Sequence, residues 1–206
     1  MARYIPQNKT KRELHEEHRR QVQKSFIIRW GGLLLFILIL AVVLIWALSQ
    51  PSNAAAGPMG SVVGPLSRDH IPEGTDPGPY TTNPPAGGHH FPSVFHAGFY
   101  SLEDAATMPQ YPEGYLVHDL EHGYVIYWYN CQADPSINCA DLQEAIKQVI
   151  TENNTFKVIG YPWPSQKEPL VMTSWGRILR LNQIDLETMR AFYKGNVNKG
   201  PEKTVD

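Results

Sequence analysis

The sequence predicts an α+β fold: a compact domain with a small mixed β-sheet and two helices, behind a single N-terminal transmembrane helix. Three observations lead there. Ile27–Leu48 is an almost unbroken apolar run, Tyr124–Tyr129 is aromatic and β-branched without polar alternation, and the later chain reads strand, helix, strand, strand, helix. A chain of 206 residues holds one domain of ordinary size plus attachments.

The attachments come first. Residues 1–26 form a basic arm in which Arg3, Lys9, Lys11, Arg12, Arg19, Arg20 and Lys24 outnumber Glu13, Glu16 and Glu17. Such an arm marks a cytoplasmic flank. Its Lys11–Arg29 stretch has helix-forming composition, with His15 and His18 on a solvated face. Residues 27–48 are interrupted only by Arg29 and Gly31-Gly32 near the start. At 1.5 Å per residue the run is long enough to cross a hydrocarbon layer of roughly 30 Å, which makes the lipid bilayer the expected partner of this segment. Ala54-Ala55-Ala56 resembles a small-residue cleavage site, but the arm is long and the apolar run exceeds a signal core, so an uncleaved anchor is expected. Localisation follows as a cell membrane, single-pass, with the N-terminus cytoplasmic and the later domain extracytoplasmic. Residues 49–68, rich in Pro, Gly, Ala and Ser, read as a flexible tether.

The domain is placed at residues 69–195, with 196–206 as a tail. Its first part, Asp69–Pro92, is dense in turn formers and excludes helix; a long ordered loop of this kind usually has a purpose. Phe95–Tyr100 reads as a short strand and Leu102–Thr107 as a helical turn. Tyr124–Tyr129 is the expected central strand, buried on both faces. Ala140–Thr151 places Leu142, Ala145, Ile146, Val149 and Ile150 at helical spacing, with Asp141 favouring the helix start. Phe156–Tyr161 and Leu170–Trp175 follow as strands, Arg177–Leu181 as a continuation or hairpin partner of the second, and Asp185–Tyr193 as a closing helix. Cys131 and Cys139, the only cysteines, bracket a short loop after the central strand. Outside the cytoplasm they are expected to form a disulfide, contributing about 2 to 3 kcal/mol on the loop-entropy account. No CxxC motif is present, so thiol exchange is not expected.

The chemistry lies in the histidines. His89, His90, His96, His118 and His122 fall within one short span, and Val117-His118-Asp119-Leu120-Glu121-His122-Gly123 is the densest part. Clustered imidazoles are a common way to hold a transition metal. On a helical turn His118 and His122 would project to one side with Glu121 beside them. The stretch matches H-x-x-E-H, yet Gly123 and a strong strand follow at once, so a loop entering a strand is expected. A third ligand comes from His89 or His90. Three histidines suit copper or zinc, with Glu121 as ligand, outer partner or base on bound water. The competing reading has His118 and His122 hydrogen-bonded to Asp119 and Glu121 in a polar core. His70 is read as capping a turn, His96 as weaker still, and Met108 as packing. No phosphate loop, nucleophile elbow or basic nucleic-acid patch is visible.

Thr82-Asn83-Pro84-Pro85-Ala86-Gly87-Gly88-His89-His90, Gly98-Phe99-Tyr100, the His118–Gly123 block and Thr173-Ser174-Trp175-Gly176-Arg177 together resemble, in order, a bacterial family catalogued as domain of unknown function 3105 (DUF3105). The resemblance covers roughly residues 70–192 and implies a membrane-anchored, outward-facing protein with no assigned activity. In that family's pattern the loop histidine falls on His90, and the later pair on His118 and His122 with Glu121 between. His89 stands where the pattern often has proline, and His96 lies outside it, which ranks His90 above both. The expected ligands are therefore His90, His118, His122 and Glu121. Two alternatives are an enzyme with Glu121 as general base, and an accessory subunit of a respiratory or photosynthetic membrane complex whose histidines are structural.

Overall fold

The computed structural model describes residue 19, residues 30–33 and 36–43, and residues 57–204. It divides into two units, Met1–Asn53 and Ala54–Asp206. In the first, residues 30–33 and 36–43 are helical, and Leu33, Phe36, Ile37 and Leu38 are exposed. No helix among the described residues is long and apolar enough to cross a membrane. The rest of the expected span, most of the basic arm and the start of the tether lie outside the described residues.

The second unit is an α+β domain. Its elements are β1 (Ser61–Val62), β2 (Gly98–Phe99), α1 (Leu102–Ala106), α2 (Pro112–Glu121), β3 (Val125–Tyr129), α3 (Cys139–Glu152), β4 (Val158–Pro162), β5 (Leu170–Ser174), β6 (Arg177–Leu181) and α4 (Leu186–Asn196). The six strands form one mixed sheet in the order β1-β6-β5-β3-β4-β2. β3 runs parallel to β4 and antiparallel to β5, so the strand expected to be central is central.

Strand β3 organises the core because its side chains alternate between two covered faces. Val125, Tyr127 and Tyr129 join Leu142, Ile146 and Val149 of α3 and Met189 and Phe192 of α4. Ile126 and Trp128 face the other way, toward Phe91, Tyr115, Leu116 and Leu120. All five β3 residues are buried, which is why the sequence shows no polar alternation there. The Trp128 indole N–H donates to Thr173 Oγ1 at 2.6 Å, satisfying the one polar atom that ring takes into the core. Cys131 and Cys139 are bonded, joining the end of β3 to the start of α3 across a Cα–Cα distance of 5.1 Å.

Three expectations need correction. The domain holds four described helices rather than two: α1 is a short helix with a Ser101–Asp104 capping box, and α2 is a further helix for which the sequence carries no assignment before Val117. His118–Glu121, expected to be a loop entering the strand, is instead the last turn of a ten-residue helix, with His122 capping it and Gly123 beyond. Its apolar stripe is invisible in the sequence because Gly114 to Glu121 are all buried, leaving no polar face to set a period. Pro112 starts it at a position where a missing N–H costs nothing. Lastly, the tether is not free throughout: Ser61–Val62 pairs with Arg177–Ile178 as an edge strand, and Val63 N–H donates to the Gly176 carbonyl.

Candidate metal centre

The site forms where the turn-rich loop meets the C-terminal end of α2. Helix α2 lies against the sheet face that carries Ile126 and Trp128, and its last turn presents His118 and Glu121, with His122 as the capping residue. The loop is locked onto the helix by backbone bonds. Phe91 N–H donates to the Gly114 carbonyl at 3.1 Å, and a Cβ on Gly114 would come within 2.4 Å of the Phe91 ring. Glycine is thus required at 114 for the loop to approach so closely. His90 is held by the backbone on its other side as well, in an isolated parallel bridge with His70 in which Ile71 N–H donates to the His90 carbonyl at 2.8 Å.

These contacts bring four imidazoles together. Ring centroids lie 4.5 Å apart for His70 and His90, 4.9 Å for His70 and His118, 5.2 Å for His90 and His118, and 4.4 Å for His118 and His122. Trp175 stands edge-on beside His90 at 5.9 Å. One nitrogen from each of His70, His90 and His118 and one oxygen of Glu121 all lie within 4.8 Å of one another. A second set, His118, His122 and Glu202, meets the same description.

The hydrogen bonds define the state of the inner group. His90 Nδ1 lies 2.7 Å from the Gly88 carbonyl, and because a carbonyl only accepts, Nδ1 is the donor. Nε2, on the opposite side of the ring, faces Glu121 Oε2 at 2.9 Å. A neutral ring has a lone pair there, opposite an oxygen that also accepts, so the contact is favourable only with a second proton or a cation between them. The other Glu121 oxygen, Oε1, accepts from Arg68 Nε at 2.9 Å. Both groups are enclosed: the His90 and Glu121 side chains are 0% and 1% exposed.

Electrostatics keep a lone pair available. Burial, then the neighbouring His122, His90 and His70, lower the His118 pKa from 6.5 to about 4, against an opposing pull from Glu121. His118 is therefore neutral at physiological pH, and its buried Nδ1 has no hydrogen-bond partner. For Glu121, burial pushes the pKa up, but the Arg68 hydrogen bond, the charge and hydrogen bond of His90, and the Arg68 charge together hold it below the ordinary carboxyl value. Glu121 is thus an anion, tied through Oε1 to Arg68 and facing His90 through Oε2.

The structure brings His90, His118 and Glu121 together, and it places His122 beside His118 in the second set. His70 is a correction: it does not merely cap a turn but contributes an imidazole to the inner set, with Nε2 3.8 Å from Glu121 Oε2. Arg68 and Glu202 were also missed. A single bridge between two turn-rich segments leaves no periodic trace, and a lone glutamate in a tail has no spacing to mark it. His89 remains outside, half-exposed near Ser67 and Asp69, and His96 is exposed. Residues 73–206 match the model of a family described as a protein of unknown function (DUF3105). That match starts past Arg68 and His70 and runs through the tail. No curated protein and no solved structure matches the chain.

Proposed function

Since the chain belongs to the DUF3105 family, whose description assigns no activity, we propose from the site itself that it binds one transition-metal ion, copper or zinc, through His70, His90, His118 and Glu121. The single observation that carries this is the His90–Glu121 contact. The Gly88 carbonyl fixes the His90 proton on Nδ1 and aims the Nε2 lone pair at a buried carboxylate 2.9 Å away. A metal-bound histidine usually has its other ring nitrogen donating in just this way, to a backbone carbonyl or carboxylate. An ion held by Nε2 and Oε2 at the usual lengths of about 2.0–2.2 Å would span that gap at a roughly right angle. A neutral His118 supplies a further lone pair, and the imidazole-rich donor set suits zinc or copper better than calcium or magnesium.

The site favours binding over catalysis. A general base on bound water needs a free carboxylate oxygen, whereas Glu121 Oε1 accepts from Arg68 and Oε2 would be taken up as a ligand to the ion. We place the domain outside the cytoplasm of a bacterial cell, tethered to the bilayer through the apolar run of residues 27–48, where it would hold an ion for delivery, sensing or assembly of a larger membrane complex. The Cys131–Cys139 bond and the basic arm support that side assignment.

The test is elemental analysis of the full chain, purified in mild detergent and dialysed against zinc or copper, at known protein concentration. One ion per chain is expected, and none after His118→Ala. A chain that takes up no stoichiometric ion leaves Arg68, Glu121 and His90 as a structural ion-pair network and ends the proposal.

A further inference from the structure

We infer that His118, His122 and Glu202 form a second cation position outside the first, through which an ion is loaded into the inner one. This rests on the inner site proposed above. One potential ligand atom from each of the three lies within 4.8 Å of the others, and His122 Nε2 is 3.4 Å from Glu202 Oε2. The His118 side of this trio is buried, whereas the His122 and Glu202 side chains are 16% and 41% exposed. The trio thus runs from solvent to the edge of the inner group.

Arg68 ties the two positions together. Its Nε contacts Glu121 Oε1 at 2.9 Å and its Nη2 contacts Glu202 Oε1 at 3.7 Å. Each carboxylate then turns its second oxygen to a histidine, Glu121 to His90 and Glu202 to His122. His118 lies between those histidines, with its ring 5.2 Å from one and 4.4 Å from the other. The tail that carries Glu202 is fixed over the helix end: Glu202 N–H donates to the Glu121 carbonyl at 3.1 Å, and Lys157 Nζ bridges the His122 and Thr204 carbonyls.

His118 belongs to both groups, and a neutral imidazole offers one lone pair. The two positions are therefore alternative resting places for one ion. An ion arriving at His122 and Glu202 already meets His118. It moves inward by exchanging the outer pair for His70, His90 and Glu121 while His118 keeps hold of it, so it is never released to bulk water.

The test uses the full chain in detergent with Zn(II) alone, at high salt so that long-range attraction by the Glu202 charge is screened. Native chain and Glu202→Gln should each saturate at one ion; loading scales with occupancy of the outer position, so uptake by the variant should be slower by about tenfold, the low end of the effect of altering a metal-site partner. With the inner group removed by His70→Ala and His90→Ala, one weakly held ion should remain, and adding Glu202→Gln should abolish it. Unchanged uptake in Glu202→Gln would overturn the inference and leave the inner site standing, as would faster uptake, which is the result of a tail that merely covers the site. Absence of zinc from the native chain would end both.

Discussion

His90 and Glu121 are 31 positions apart in the chain, one on a proline-glycine loop and one on a helix, yet their side chains face each other at 2.9 Å in a fully enclosed setting. Replacing Glu121 by Gln keeps the shape and removes the charge. The lone pair of His90 then faces a neutral amide that can donate to it, and the ion loses an anionic ligand. Zinc affinity is expected to fall by at least the roughly 10–100-fold seen for altered metal-site partners. Competition against a chelator of known affinity measures it, and an unchanged affinity would remove Glu121 from the ligand set.

The ion-free chain should show a pH dependence set by His118. Its folded-state pKa lies at about 4, below the ordinary 6.5, so the unfolded chain takes up the proton first as pH falls. The contribution is fully present above pH 6.5 and is lost as pH drops from 6.5 toward 4. Glu121, held below the ordinary carboxyl value of 4.5, acts in the same sense in a lower window. Urea unfolding of native chain and His118→Phe between pH 7 and pH 4.5 checks this: the native midpoint should fall more steeply. Parallel curves would mean that His118 takes up its proton at the same pH in the folded and the unfolded chain.

Particular residues show why sequence reading reached some of this and not the rest. β3 was legible because Tyr, Trp, Val and Ile cluster over five positions, and α3 because its core-facing residues recur at helical spacing against a polar face. α2 was not, since burial all round erases the period that identifies a helix. His90, His118 and Glu121 were found through crowding of rare residue types. His70 and Arg68 joined them through a backbone bridge and one side-chain bond, neither of which has a local signature.

Gly114→Ala separates site geometry from site chemistry. The added methyl would come within 2.4 Å of the Phe91 ring, next to His90, on a helix whose every later residue is buried. Overpacking of this kind typically costs about 1 to 3 kcal/mol. Loop and helix must also part slightly, which separates His90 from His118 and Glu121. Both the unfolding midpoint and zinc affinity should drop, although no ligand is touched. A loss of stability at constant affinity would show that the site tolerates movement of the loop.

The disulfide provides the opposite case. Cys131 and Cys139 link the end of β3 to the start of α3, and α3 packs on the sheet face turned away from α2 and the histidines. Replacing both by Ser removes a constraint on the unfolded chain worth about 2 to 3 kcal/mol for so short a loop. The loop adjoins the buried residues of β3, which remain packed by Leu142, Ile146 and Val149. Cys131→Ser/Cys139→Ser should therefore lower the urea midpoint while zinc affinity and stoichiometry stay those of the native chain. A matching fall in affinity would show that the two faces of the sheet are coupled, and that the metal centre depends on the whole domain rather than on the lock between loop and helix.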